Sequence, residues 1–179
     1  MTWVPGATPK RDPLANPEPL IERVYAFVAY RIGDGPDAED ITSATIERAI
    51  RSRSQFDPSR GEPIAWLIGI ARRCIHDELA DRPILVAEVP ETIAPGDLAA
   101  DSADRIDLDR AVAGLSDRDR ELVALRYGAD MTSRQIGEVL GLQANAVDVA
   151  LHRALQNLRA LLVKPPRPAG SIGSTEVAE

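Results

Sequence analysis

Thr132-Ser133-Arg134-Gln135-Ile136-Gly137-Glu138-Val139-Leu140-Gly141-Leu142-Gln143-Ala144-Asn145-Ala146-Val147-Asp148-Val149-Ala150-Leu151 reads as two short helices around a tight turn. Thr132 followed three residues later by Gln135 is a capping-box pattern, and Ile136, Val139 and Leu140 give the first helix an apolar face. Gly141 closes it, and a second helix starts near Gln143. That helix carries Val147, Ala150, Leu151, Ala154, Leu155, Leu158 and Leu162, an apolar face about five turns long. Ile136 and Leu140 can pack on Val147 and Leu151 only if the turn is sharp. The first residues of the second helix then project outward, which is the helix-turn-helix arrangement suited to a DNA major groove. An ordinary helical hairpin is the alternative for the same pattern.

Upstream, Ser116-Asp117-Arg118-Asp119 resembles another capping box and opens a helix with Leu122, Val123 and Leu125 that ends at Gly128. Leu108, Val112 and Leu115 form a short helix before it, so residues 108–163 make one small helical domain. Three further helices are predicted over residues 18–82. The first carries Leu20, Ile21, Val24, Phe27 and Val28, and Gly33, Gly35 and Pro36 stop it. The second, Asp37–Arg53, has Ile41, Ala44, Thr45, Ala49 and Ile50 on one face and acids in its first turn. Phe56-Asp57-Pro58-Ser59-Arg60-Gly61 breaks the chain, and the third helix runs from Pro63 to about Leu79. Residues 83–107, with Pro83, Pro90, Pro95 and Gly96, read as an acidic linker, and residues 1–17 and 164–179 as disordered tails. The expected fold is all-α: two small helical domains joined by a flexible linker.

The 179 residues are 44% hydrophobic but only 4% aromatic, which favours helices cored by Leu, Ile, Val and Ala. A net charge of −7 argues at face value against a protein that coats nucleic acid. Its distribution narrows the objection to Asp77, Glu78, Asp81 and Asp148: residues 83–109 hold seven acidic residues and one basic, whereas residues 110–164 hold eight basic and six acidic. Cys74 is the single cysteine, so no intrachain disulfide can form. With no signal-length or spanning apolar run, a cytoplasmic protein without membrane insertion is expected. Two histidines and one cysteine cannot fill a structural zinc site without carboxylates, and Cys74 and His76 point to different sides of a helix. No metal, cofactor or enzymatic chemistry is expected.

Two longer runs carry a family resemblance. Gly33…Asp37-Ala38-Glu39-Asp40-Ile41-Thr42…Thr45…Arg48-Ala49, with Phe56–Gly61 and Ala65-Trp66-Leu67-Ile68-Gly69-Ile70-Ala71-Arg72-Arg73, resembles the core-binding and promoter-melting domain of extracytoplasmic-function sigma factors. Leu115-Ser116…Arg120-Glu121-Leu122…Leu125-Arg126-Tyr127, followed by the helix-turn-helix through Arg159, resembles that family's upstream-element-binding domain. Both occur in the family's order, over about residues 18–163.

The resemblance implies a dissociable promoter-selecting subunit of bacterial RNA polymerase, with core polymerase, promoter DNA and an anti-sigma factor as partners. Asp37, Asp40, Ile41, Ser43 and Glu47 become candidates for the polymerase contact. Phe56, Arg60, Trp66, Arg72 and Arg73 become candidates for capturing melted-strand bases, which need stacking surfaces and cations. Trp66 also has a plain core reading beside Ile64 and Ile68. Arg134, Gln143, Asn145, Asp148, His152 and Arg153 become candidates for the upstream element, the amides for adenine edges and the cations for phosphates. The sequence departs from the family at Gln143, where a small polar cap is common, and at Asp148 and Ala150, where basic residues are common. The end of the third helix, Asp77-Glu78-Leu79-Ala80-Asp81-Arg82, is acidic where the family is often basic. Weak DNA affinity outside the polymerase complex is the expectation. A sigma-like decoy that binds a regulator or polymerase without productive promoter recognition is the competing reading.

Overall fold

The computed structural model describes residues 12–81 and 99–163; residues 1–11 and 164–179 of the expected tails and most of the linker, 83–98, lie outside the described residues. Residues 12–17 of the expected N-terminal tail instead form a turn with Leu14 packed against the core. Seven helices account for the described chain, in which no strand occurs. α1 (Glu18–Ile32) begins beside Pro17 and Pro19 and ends at Gly33, φ 100°, whose N–H donates to the Ala29 carbonyl. α2 (Pro36–Ser52) starts after Gly35, φ 131°, with Asp37 and Glu39 at its positive end. A loop of two short 3-10 turns leads to α3 (Pro63–Asp81), and Asp57 holds the second turn by accepting from the Ser59 N–H at 3.0 Å and hydroxyl at 2.7 Å. The first three helices pack around Val24, Phe27, Val28, Ile41, Ile64, Leu67 and Ile68.

α4 (Ala99–Ala113) begins within the stretch expected as linker, so residues 99–107 are helical. Its sequence has good helix formers but no clear apolar stripe before Ala111 and Val112, which hid the element from a reading by periodicity. α5 (Asp117–Val123) is capped at Ser116, whose hydroxyl accepts from the Asp119 N–H. The reciprocal half of a capping box is replaced, because the Asp119 carboxylate takes the Asn157 amide at 2.9 Å. The chain then widens into a π-turn, Ala124–Gly128, before α6 (Ser133–Leu140) and α7 (Ala144–Val163).

The two halves do not keep separate cores. Phe27 and Val28 of α1 belong to the same buried cluster as Leu122, Leu125, Met131, Ile136, Val147 and Leu151 of the second half. At the centre of this junction a Cβ on Gly128 would stand 2.8 Å from the Phe27 nitrogen and 2.9 Å from the Ala26 carbonyl carbon and oxygen. Only glycine lets the π-turn meet the α1 backbone this closely. Arg23 forks from α1 onto the carbonyls that the π-turn leaves open, donating to Ala129 O at 2.7 Å and Asp130 O at 2.9 Å.

Arg120 performs a similar service around α5. Its guanidinium donates to the carbonyls of Val112 (3.2 Å) and Leu115 (3.1 Å), to Ala113, and to Arg31 of α1 at 3.4 Å. Burial and the neighbouring Arg31 lower its pKa from the ordinary guanidinium value, so the carbonyl shell is what keeps this partly buried charge in place.

The junction makes a sharp expectation. Gly128 does not need a left-handed backbone, so alanine there is harmful only if α1 lies against it. Gly128→Ala should lower the unfolding free energy by about 1–3 kcal/mol in urea denaturation, whereas wild-type stability would separate the two halves.

Candidate nucleic-acid interface

The acidic face of α2 is open. Asp37, Asp40, Ser43 and Glu47 are exposed and recur at helical spacing, so they form one stripe turned away from α1 and α3. Ile41, grouped with them in the sequence reading, is only 4% exposed and lies in the core. Its neighbours form the polar stripe and Ile41 anchors the helix beneath them. Beside this stripe, Asp40, Ala44 and Cys74 help line a groove of about 280 Å³ between α2 and α3. Arg48 bridges that groove's edge to Asp77 at 2.9 Å, and Cys74 is buried.

The loop and α3 are less open. Phe56 is 5% exposed and packs against Trp66, ring centroids 5.5 Å apart at 56°. This pair is a tilted aromatic contact inside the fold, with Trp66 half-buried at the wall of a cleft of about 1030 Å³. The Phe56 ring therefore supports Trp66 and offers no free face to a base in this arrangement. Arg60 and Arg73 are exposed at the cleft and engage no partner among the described residues. Arg72 is occupied: its Nε donates to Glu121 Oε1 at 2.7 Å and its Nη1 to the Val139 carbonyl at 3.5 Å. Both partners belong to the other half of the chain, as does Gln135, which donates to Glu62 at 2.8 Å. The structure thus brings Phe56, Arg60, Trp66, Arg72 and Arg73 to one cleft and lays α5 and α6 across it.

The helix-turn-helix folds as its pattern requires. Thr132 and Gln135 complete a reciprocal capping box, and Gly141 adopts the left-handed conformation, φ 69°. Gly137 admits the tight return of the chain, since a Cβ there would meet the Leu142 carbonyl oxygen at 2.5 Å. Ile136, Val147 and Leu151 are buried between α6 and α7, leaving Gln143, Asn145, Asp148, His152 and Arg153 exposed. Arg134 sits on α6 and pairs with Glu138 at 3.2 Å. His152 Nε2 lies 3.0 Å from the Gln156 amide nitrogen. Asp148 accepts a hydrogen bond from the Ser133 hydroxyl, and Arg126 reaches that hydroxyl at 3.4 Å while donating to Met131 O at 2.9 Å. Asp148 therefore ties α7 to the start of α6, a role its repulsion of phosphates alone does not suggest.

Residues 18–83 match Sigma-70 region 2 and residues 105–158 match Sigma-70, region 4. The RNA polymerase sigma factor CarQ of Myxococcus xanthus is 32% identical over 145 residues, covering 78% of this chain and 83% of CarQ. The chain belongs to the extracytoplasmic-function sigma factors of the sigma-70 family. These are transcription factors for promoter recognition by RNA polymerase and not enzymes. SigK of Mycobacterium ulcerans is 30% identical over 149 residues, covering 78% of this sigma factor and 80% of SigK. BldN of Streptomyces coelicolor is 30% identical over 150 residues, and the match spans only 56% of BldN. The fold is similar to RpoE solved with the anti-sigma factor NepR from Bartonella quintana, TM-score 0.59 at 20% identity over 83% of this chain and 94% of that one. It is likewise similar to CnrH solved with the cytosolic domain of CnrY, TM-score 0.57 at 24% identity over 82% and 81%.

The residues that sequence reasoning missed are the ones that join the halves: Arg23, Gly128, Arg120 and Glu121. Gly128 is legible in the sequence only as a helix end, and nothing in the periodicity of α1 singles out Arg23. Among the described residues no helix is long and apolar enough to cross a membrane, and no cluster of three His, Cys, Asp or Glu side chains is arranged to hold a metal.

Placement of Phe56 in the interior is testable by stability. Phe56→Ala should lower unfolding free energy by about 3 kcal/mol in thermal or urea denaturation. An exposed stacking ring would leave stability unchanged.

Proposed function

We propose that this sigma factor binds core RNA polymerase through the acidic stripe of α2 and directs it to specific promoters. Region 2 reads and melts the minus-ten element with the cleft at α3, and region 4 reads the minus-35 element with the exposed start of α7. The observation that carries this reading is the segregation of chemistry. A carboxylate stripe on α2, the exposed cations Arg60 and Arg73 at the α3 cleft and amides at the head of the second helix of the helix-turn-helix occupy three separate surfaces. Asn145 suits bidentate contact with adenine, and Arg153 suits a phosphate. The partners are core polymerase and promoter DNA, with the cytoplasm as the place of action. An anti-sigma factor is a further partner, in keeping with the RpoE complex of similar fold.

A decoy that binds polymerase or a regulator without initiating is the second reading. Asp148 in the groove-facing helix and the occupied Arg72 favour it. Reconstituted transcription with matching core polymerase and genomic DNA separates the two, since good core binding without specific initiation leaves the decoy.

Two variants locate the surfaces. Asp40→Arg with Glu47→Arg should abolish core binding in a fluorescence titration while the circular dichroism spectrum is retained. Asn145→Ala should weaken binding of the assembled holoenzyme to its minus-35 element by about 1–3 kcal/mol and relax preference at one base pair. Equal loss on every sequence would assign Asn145 to the backbone instead.

A further inference from the structure

Asp148 stands in the second turn of α7, on the exposed side that also carries Asn145 and His152. Duplex phosphates repel a carboxylate in such a place, so its presence calls for a compensating partner. The structure supplies one. Asp148 Oδ1 accepts from the Ser133 hydroxyl, whose oxygen lies 3.4 Å from Arg126 Nη2. Arg126 is half-buried and is itself fixed, donating through Nη1 to the Met131 carbonyl at 2.9 Å. Ser133 is the first residue of α6, so the carboxylate also sits at the positive end of that helix. Its second oxygen, Oδ2, is left without a partner among the described residues.

Deepening the promoter-factor reading above, on which this rests, we propose that Asp148 is a specificity-determining residue. It accepts a hydrogen bond from the exocyclic amino group of one cytosine in the minus-35 element, and Ser133 is its positioning residue. In the major groove cytosine offers the N4 amino donor with no ring acceptor beside it. Adenine sets its N6 amino next to the N7 acceptor, and guanine and thymine turn carbonyl oxygens toward the helix. A carboxylate only accepts, so it favours cytosine and is repelled by guanine and thymine. Asn145, three residues earlier on the same face, carries an amide that both donates and accepts and suits adenine. The two side chains thus read different bases. The Ser133 anchor matters because a carboxylate already held at one oxygen loses less rotamer freedom when the other is engaged. The negative charge weakens binding to every duplex alike, while the amino contact discriminates at one base pair.

Base preference tests this, because a ratio between bases cancels the general gain in affinity from removing a negative charge. Holoenzyme reconstituted with matching core polymerase is given a promoter duplex active in reconstituted transcription and randomised across its upstream element. The bound fraction is then sequenced. The wild type should enrich cytosine at one position by about fivefold or more over each other base. Asp148→Asn keeps an oxygen for Ser133 and should leave the melting temperature unchanged, yet lose the cytosine preference at that position alone and gain adenine there. Ser133→Ala, which keeps the carboxylate and removes its anchor, should lower the same preference by at least about twofold. A wild type with no such position, a cytosine preference that survives Asp148→Asn, or a loss spread evenly over the element would overturn the assignment and leave Asp148 a tie between helices. Asn145→Ala separates this outcome from failure of the underlying reading. If that variant relaxes its own position while Asp148→Asn relaxes none, promoter recognition stands and the cytosine contact falls. A wild-type holoenzyme that enriches no upstream sequence would remove both.

Discussion

The contact on which the rest depends is the seating of the α1 backbone against Gly128. It is a close approach of two main chains, and its walls are Phe27 and Val28 on one side and Leu122, Leu125 and Met131 on the other. Each half alone, residues 12–81 or 99–163, is about 65–70 residues, a size at which a single core leaves little surplus stability. Sharing one cluster lets both halves exclude water from faces that would otherwise be exposed. The π-turn is the device that makes it possible. Widening the helix at Ala124–Gly128 leaves carbonyls at Ala129 and Asp130 without helical partners, and Arg23 of α1 supplies the donors.

That seating positions everything functional. It brings α5 and α6 over the α3 cleft, so Glu121 reaches Arg72 and Gln135 reaches Glu62. It leaves the outer side of α2 and the exposed start of α7 uncovered. The same chain therefore leaves two polar surfaces open, while a third, the α3 cleft, is partly occupied by its own side chains. The acidic residues of region 4 at the cleft give the overall negative charge of the chain a structural counterpart besides the linker.

Local rules carried the sequence reading far. The Thr132–Gln135 box, the Gly141 turn and the stripe through Val147 and Leu151 are encoded within a few residues, and each lies where the pattern requires. The Ser116 cap was legible, but its partner was not, because Asp119 is drawn to Asn157 across the helix pair. α4 extends earlier than periodicity indicates, since helix propensity without an apolar stripe gives no strong signal. Phe56, in a loop of Asp, Pro, Ser and Gly, reads as an exposed aromatic; its burial depends on Trp66, ten residues away and on another element. The closure of the two halves was the least legible feature. An amphipathic stripe on α1 declares that it needs a partner and says nothing of which one, and Gly128 declares a break without declaring what approaches it.

The most direct measurement is the distance between the two halves of the free chain. Dyes on Arg51→Cys of α2 and Arg159→Cys of α7, in a Cys74→Ser background, report it by energy transfer in full-length protein. The expected result is high transfer that Gly128→Ala lowers, because the seating of α1 against Gly128 holds the halves together. Low transfer in the wild-type chain would contradict a single core shared by both halves.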